Sequence, residues 1–419
     1  MRVEPIDCLR PRPEKVGEFT SLPYDVFTEG EARAYAAAHP TSFLAIDRPE
    51  TNFPAGQDPY APEVYEKAHQ LLLDRQRDFT LLREERPCLF LYELTEASGH
   101  SQCGLVASCA IDDYLDGTIR RHEATRAEKE DDRVRHIKAT GAQTGPIFLT
   151  YRDNYALDVI LGLARSGEPL YDWTDELGVR QRVWRIARDA AIEAICATFA
   201  TIDAAYVADG HHRLAAAARV CQDWRERDGA SPDGSLRPYE TFLAVLFPAS
   251  QLRVLPYNRV VTDTGALSFE EFTRRVEEAG FSWSRPQAEP CTPTEHGTFG
   301  VFAKGAWYRL RWQGATTDDP YGQLDTALLH RTIVEGILGI TDPRTDPRLS
   351  FHGGLEDPRA LEPVAGAHGV AFVLYPTSVE ELMAVADDGK LMPPKSTWFE
   401  PKLRSGLFIR RIDQARRQR

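Results

Sequence analysis

Residues 206–218 read Tyr206-Val207-Ala208-Asp209-Gly210-His211-His212-Arg213-Leu214-Ala215-Ala216-Ala217-Ala218. The rest of the chain is organised around this run. Ala204 to Ala208 has the composition of a short buried strand, and Asp209-Gly210 breaks it with turn chemistry. Four consecutive alanines favour a helix over Arg213 to Val220. Asp209 is suited to cap that helix, because its carboxylate can accept from the first free amides. The amides of Gly210, His211 and His212 then stand at a positive helix end, which binds anions and phosphate above all. Gly210 lets a ligand come close to the backbone. Arg213 adds a planar, permanently charged fork that matches phosphate. A strand, a turn and an Ala-rich packing helix would use the same letters. Two histidines and an arginine, costly to bury without purpose, favour the functional reading.

At 419 residues the chain exceeds a usual single-domain core, so two or three domains are expected. Its 42% hydrophobic and 27% charged residues are those of a soluble globular protein. No stretch reaches membrane-spanning length, and Met1-Arg2-Val3-Glu4-Pro5 opens without an apolar leader. Seven cysteines with no Cys-x-x-Cys pair read as reduced, buried thiols. A cytoplasmic protein without a membrane partner is the expectation. The net charge of −13 argues against nucleic acid as the main partner.

In chain order, Thr28 and Glu31 form a capping box for a helix over Gly30 to His39. Ser42 to Ile46 reads as a strand, and Asp58 to Arg83 as one long amphipathic helix. Pro87 to Leu94 and Gln102 to Ile111 read as an antiparallel pair. Helices are expected over Ala127–Thr140, Asp189–Phe199, Ser268–Gly280, Leu324–Leu338 and Ser378–Ala386. Strands are expected over Gly145–Tyr151, Leu177–Trp184, Thr241–Phe247, Val301–Trp312 (a hairpin) and Val370–Leu374. Trp224 to Arg237 reads as a surface loop, and Ile409 to Arg419 as a solvated tail.

Two further stretches carry chemistry. Ile119-Arg120-Arg121-His122-Glu123-Ala124-Thr125-Arg126 gathers cations around one carboxylate, Glu123, with Arg133 one helix further on. The His-Glu pair suggests a zinc protease, but the position four residues after His122 holds Arg126, so that spacing fails. Glu123 remains a candidate general base or magnesium ligand. Met392-Pro393-Pro394-Lys395-Ser396-Thr397-Trp398-Phe399 is too Pro-rich for a helix interior. Lys395, Ser396 and Thr397 suit an anion, whereas Trp398 and Phe399 suit a rigid plug.

The Asp209–Arg213 run resembles the phosphate-binding motif of the ParB/sulfiredoxin-like superfamily, which includes partition nucleotide hydrolases, sulfiredoxins and free-serine kinases. The whole chain is similar to the prokaryotic domain-of-unknown-function family ten-fifteen. Leu22-Pro23-Tyr24-Asp25-Val26, Arg121 to Thr125, the Asp209 run, Val254 to Arg259 and Met392 to Phe399 carry that resemblance. The family commonly has histidine where Asn258 stands, which weakens any acid–base role there. The resemblance implies an α+β fold with a ParB/sulfiredoxin-like mixed core over 112–262, an N-terminal α/β region over 1–111 and a C-terminal α+β region over 263–419. A sulfiredoxin would need a cysteine where His211 stands.

Together these readings give a nucleotide-dependent phosphotransferase acting on a small hydroxyl metabolite such as L-serine. A phosphoserine phosphatase and a non-enzymatic nucleotide switch stay open as alternatives. Glu123, Asp209, His211 and His212 are the candidate catalytic residues, and Asp209 is also the candidate metal ligand. His122, Thr125, Arg133, Gly210, Arg213, Arg259, Lys395, Ser396 and Thr397 are the candidate nucleotide contacts. ATP or ADP, with CTP as an alternative, and Mg2+ are the expected cofactors, and a homodimer is left open.

Overall fold

Thr241–Pro248 is buried at all eight positions, so it needs cover on both faces and a partner at each edge. The computed structural model, which describes residues 1–229, 231, 235–315, 317–354 and 356–413, supplies them. Ile147–Tyr151 pairs with this strand in parallel on one side, and Ser101–Ala110 antiparallel on the other. The sheet continues outward through Ala205–Asp209 to Ile119–Arg120 at one end. At the other it runs through Leu89–Thr95 and Arg180–Ile186 to Tyr171–Thr174. Val3–Glu4 joins as the ninth strand, beside Ser101–Ala110.

This mixed sheet belongs to the first of two units, which comprises Met1–Arg121, Thr125–Leu252 and Pro401–Arg419. Its main core packs Leu105, Leu149, Val207, Phe242 and Leu246 against Leu214, Ala217 and Val220 of helix His211–Asp228. A second sheet of this unit runs Leu81–Arg83, Cys8–Pro11, Ile409–Arg411, Ala142–Gln143. A smaller core lies with it, formed by Leu9, Phe19, Phe43, Leu72 and Ile409.

The second unit comprises His122–Ala124 and Arg253–Glu400. Its six-stranded antiparallel sheet runs Phe281–Trp283, Ala306–Trp312, Thr298–Ala303, Val370–Val373, Tyr257–Val261, Leu349–Gly353. Helix Phe269–Glu278 sets Phe272 and Val276 into a core with Phe281, Phe299, Val301 and Phe372. A two-stranded ribbon pairs Arg253–Leu255 with Trp398–Glu400. No helix among the described residues is long and apolar enough to cross a membrane.

The capping box at Thr28 is present: its Oγ accepts from the Glu31 amide, and Glu31 accepts from the Thr28 amide. Helices Ala127–Thr140 and Asp189–Phe199 and the Leu89–Thr95 hairpin with Ser101–Ala110 also stand as read.

Other segments differ. Ser42–Ile46 is no strand; Leu44–Asp47 is a helical turn, with residues 42–47 all buried. A short run buried without interruption has no period to separate helix from strand. The helix read over 58–83 is confined to Pro62–Arg77, because Phe79 takes φ +59 and Leu81–Arg83 pairs in a sheet. The loop read from Trp224 begins later, since helix His211–Asp228 continues to a Gly229 stop with Trp224 packed edge-on against Tyr239. Leu324–Leu338 is not one α-helix: Asp325–Leu329 gives way to a wider π-helical turn over His330–Glu335. Ile409–Arg411 is a strand rather than a tail, and positions 414–419 of that reading lie outside the described residues.

Candidate functional site

Strand Ala205–Asp209 ends in a register shift between Val207 and Asp209, and the chain turns at Gly210 with φ 96 and ψ 26. That left-handed conformation is open to glycine at little cost. Gly210 is therefore the cap residue of helix His211–Asp228, and Asp209 is not, contrary to the reading from sequence. The reason is Arg213. Its Nη2 donates to Asp209 Oδ2 at 2.8 Å, drawing the carboxylate to the guanidinium. The helix start carries no side-chain cap and no acidic residue in its first turn. The positive end of the helix dipole thus lies at the Gly210 turn.

Arg213 does not present its fork outward. Nη1 donates to Pro146 O at 2.5 Å, and Nε is buried without a partner among the described residues. The guanidinium is held between two glycines: a Cβ would come within 3.2 Å of it at both Gly145 and Gly210. Burial works against its charge, and Asp209 followed by Asp25 more than offsets this, so its pKa is raised.

His211 is the first helical residue and is buried. His212 Nε2 accepts from the Arg126 amide at 3.0 Å, which places the ring proton on Nδ1 and ties residues 125–126 to the helix start. Thr125 Oγ1 donates to Glu130 Oε2 at 3.1 Å.

Behind the loop is a cavity of about 30 Å³ bordered by Tyr24, Asp47, Arg133, His136, Gly145 and Arg213. It has room for water-sized occupants only. Arg133 lies over the Tyr24 ring at 4.1 Å and donates to Asp132 Oδ2 from Nη2 at 2.8 Å. Thr144 Oγ1 donates to Asp47 Oδ1 at 2.8 Å. Burial, and next the Arg133 charge, hold His136 below the ordinary histidine range, with its Nε2 2.9 Å from Ile46 O. Asp47 and His136 were not singled out from sequence. Asp47 closes an apolar run and His136 sits in a charged helix, and neither context marks a buried polar cluster. Tyr24 carried a signal, the Pro-bounded Leu22–Val26 element.

The remaining candidates lie in the second unit. His122 Nε2 is 3.2 Å from Thr397 Oγ1, and the Met392 amide donates to His122 O at 2.7 Å. Residues 122–124 are thereby tied to the Pro-rich loop. Arg259 pairs with no acid among the described residues; it is 3% exposed and donates to the carbonyls of Tyr257, Pro394 and Lys395. Burial pulls its pKa down to about 10. Lys395, at φ 57, sets its Nζ 5.7 Å from the centre of the Tyr257 ring. Ser396 is buried, with its Oγ donating to Pro393 O at 2.7 Å. Burial pushes the Tyr257 hydroxyl up, Lys395 counters this, and Glu123 adds to it.

Asp325, also unmarked in the sequence, is 5% exposed and accepts from the Gly297 amide at 2.8 Å. Its Oδ2 lies 3.8 Å from His296 Nδ1, which is 3.6 Å from Glu381 Oε1. Burial raises the Asp325 carboxyl to about 6.

The model of the family described as protein of unknown function (DUF1015) matches residues 3–327. The chain belongs to this family. No curated protein matches it. Among solved structures, C-terminally truncated SbnI from Staphylococcus aureus is similar at 12% identity and TM-score 0.36, covering 71% of this chain and 84% of its own. A free serine kinase in complex with AMP is similar at 13% identity and TM-score 0.34, covering 70% and 86%. A conserved hypothetical protein from Pyrococcus furiosus is similar at 13% identity and TM-score 0.33, covering 70% and 90%.

Proposed function

We propose that this DUF1015 member is a nucleotide-dependent phosphotransferase with a ParB/sulfiredoxin-like core, acting on a small hydroxyl metabolite such as L-serine. The observation that carries this reading is the start of helix His211–Asp228. It is headed by a left-handed glycine, carries no side-chain cap, and has no acid in its first turn. A helix N-terminus of this kind favours phosphate through its backbone amides and its dipole. The Asp209–Arg213 run that builds it is also the stretch resembling the superfamily's phosphate motif.

In this reading Gly210 to Arg213 hold phosphate through the backbone. Arg213 acts as the brace that fixes the loop, since its fork is committed to Asp209 and Pro146. Asp209 fits a magnesium ligand: its carboxylate is a hard oxygen donor, and 31% of its side chain is exposed beside the Arg213 contact. Magnesium, when bound, would neutralise charge on the transferring phosphoryl group. Glu123 takes the acceptor's proton as general base.

The test is a thermal-shift series with ATP, ADP, CTP, serine and phosphoserine, each with and without magnesium, followed by a phosphoryl-transfer assay. Glu123→Gln should lower turnover by about a hundredfold to ten-thousandfold and leave nucleotide binding intact. Full turnover in that variant would remove Glu123 from the mechanism. Nucleotide binding without transfer to any hydroxyl acceptor would make the protein a switch rather than a kinase.

A further inference from the structure

In the second unit, Arg259 of strand Tyr257–Val261 and His330 of the π-helical turn His330–Glu335 border one small cavity, of about 10 Å³. That is room for about one water-sized occupant. The rest of the wall is apolar: Val334, Leu349 and Phe351, with Pro343, Pro393 and Pro394. The lining thus holds one permanent cation and no acid.

Arg259 meets this cavity with neutral partners only. Its Nη1 donates to Tyr257 O, and its Nη2 to Pro394 O at 3.3 Å and Lys395 O at 3.1 Å. Phe351 covers the guanidinium, with Cζ 5.4 Å from the ring centre. The Nε hydrogen and the second Nη1 hydrogen have no acceptor among the described residues. Burial works against the charge, and Tyr257 alone opposes it. Glu335 stands 3.8 Å from His330 Nε2 with half of its side chain exposed, and it does not act on Arg259. Two arginines as deeply buried in the first unit are built differently: Arg133 has Asp132 as an ion-pair partner, and Arg404 has Glu176. Three carbonyls turn dipoles toward Arg259 but supply no charge, and a buried charge without a counter-ion is costly.

We infer that this cavity binds a monatomic monovalent anion of the chloride class. One positive charge without an acid calls for one negative charge. The volume leaves no room for a phosphate or a carboxylate. A halide accepts N–H groups from any direction and tolerates apolar walls, which matches two unsatisfied guanidinium hydrogens among Val, Leu, Phe and Pro side chains. A water in the same place would satisfy the hydrogens and leave the charge uncompensated.

Melting curves of the full chain in sodium chloride and in sodium gluconate, at equal ionic strength, test this, because gluconate is too large for the cavity. Chloride should raise the melting temperature saturably, by about 2–4 °C at roughly ten times its dissociation constant. Arg259→Gln should abolish the difference between the two salts. Should that variant fail to fold, wild-type crystals soaked in sodium bromide carry the test, with an anomalous peak expected beside the Arg259 guanidinium. Equal melting temperatures in the two salts, a chloride effect that persists in Arg259→Gln, or bromide-soaked crystals without a peak at Arg259 would each overturn the assignment. A bromide peak without chloride-dependent stabilisation would mark binding at crystal concentration only, and would overturn it as well.

Discussion

Gly210→Ala tests the geometry at the centre of the proposed site. A residue with a Cβ held in the left-handed region costs about 1–2 kcal/mol. At Gly210 the new methyl would also stand 3.2 Å from Cζ, Nε and Nη2 of Arg213. The guanidinium has little room to retreat, because Nη1 is bonded to Pro146 O and Gly145 lies close on its other side. Moving it strains the Nη2 bond to Asp209, a charged hydrogen bond of a class worth roughly 1.5–3 kcal/mol. With that bond fully lost the sum is about 2.5–5 kcal/mol. Hydrogen exchange over helix His211–Asp228 reads it locally, as a rise in opening of its first turns. The contribution of the contact is isolated by a double-mutant cycle with Arg213→Ala. In that background Gly210→Ala should cost only the backbone share, about 1–2 kcal/mol. An equal cost in both backgrounds, or a cost below about 0.5 kcal/mol in the wild type, would refute the argument that Arg213 requires this glycine.

Asp325 has a folded pKa near 6 against an ordinary value of 3.8, so its contribution to stability is fully present below pH 4 and is lost as pH rises through 6. Asp325→Asn should keep an acceptor for the Gly297 amide, lose that dependence, and be more stable than wild type at pH 8 by on the order of 2–3 kcal/mol; urea melts from pH 4 to 8 check this. Thr28→Ala removes one half of the capping box and should cost about 1 kcal/mol, read as faster exchange over helix Glu29–Ala38. Elemental analysis after magnesium soaking should find magnesium released by EDTA, and nucleotide stabilisation should fall with it; nucleotide binding that is indifferent to EDTA would remove Asp209 as a metal ligand.

The parts legible in the sequence were those with a local cause. Thr28 and Glu31 cap their helix through their own backbone, and Asp209-Gly210 ends its strand wherever the strand sits. Helix Ala127–Thr140 ends at Gly141 in the left-handed region, a stop visible in the letters. The missed features depend on partners distant in sequence. Asp209 reads as the cap, whereas Gly210 holds that position and Asp209 Oδ2 takes Arg213, and Arg213 reads as a phosphate fork until Pro146 takes one arm. Arg259 spends donors on carbonyls 135 and 136 residues away, partners that no local pattern around it reveals. Residues 42–47 were misread for another reason: unbroken burial erases the period on which such readings rest. The 324–338 segment keeps a helical pattern of burial, and what the letters do not show is the widening of the turn over His330–Glu335.

Strand Ile409–Arg411 lies between Cys8–Pro11 and Ala142–Gln143 in the four-stranded sheet. This has a consequence for the order of synthesis. At about 5–20 residues per second, Ala142 leaves the ribosome roughly tens of seconds before Ile409 exists. Throughout that interval two strand edges of the unit bearing the Asp209 loop stand open, and the unit cannot close. Almost all of the other unit is the unbroken stretch Arg253–Glu400, complete before Ile409 is translated. The later-made unit is therefore the first whose sequence is whole. The proposed phosphate loop, present in the nascent chain from residue 213 onward, stays in an unfinished frame until strand Ile409–Arg411 is made, and through that interval the open edges are templates for pairing with another chain.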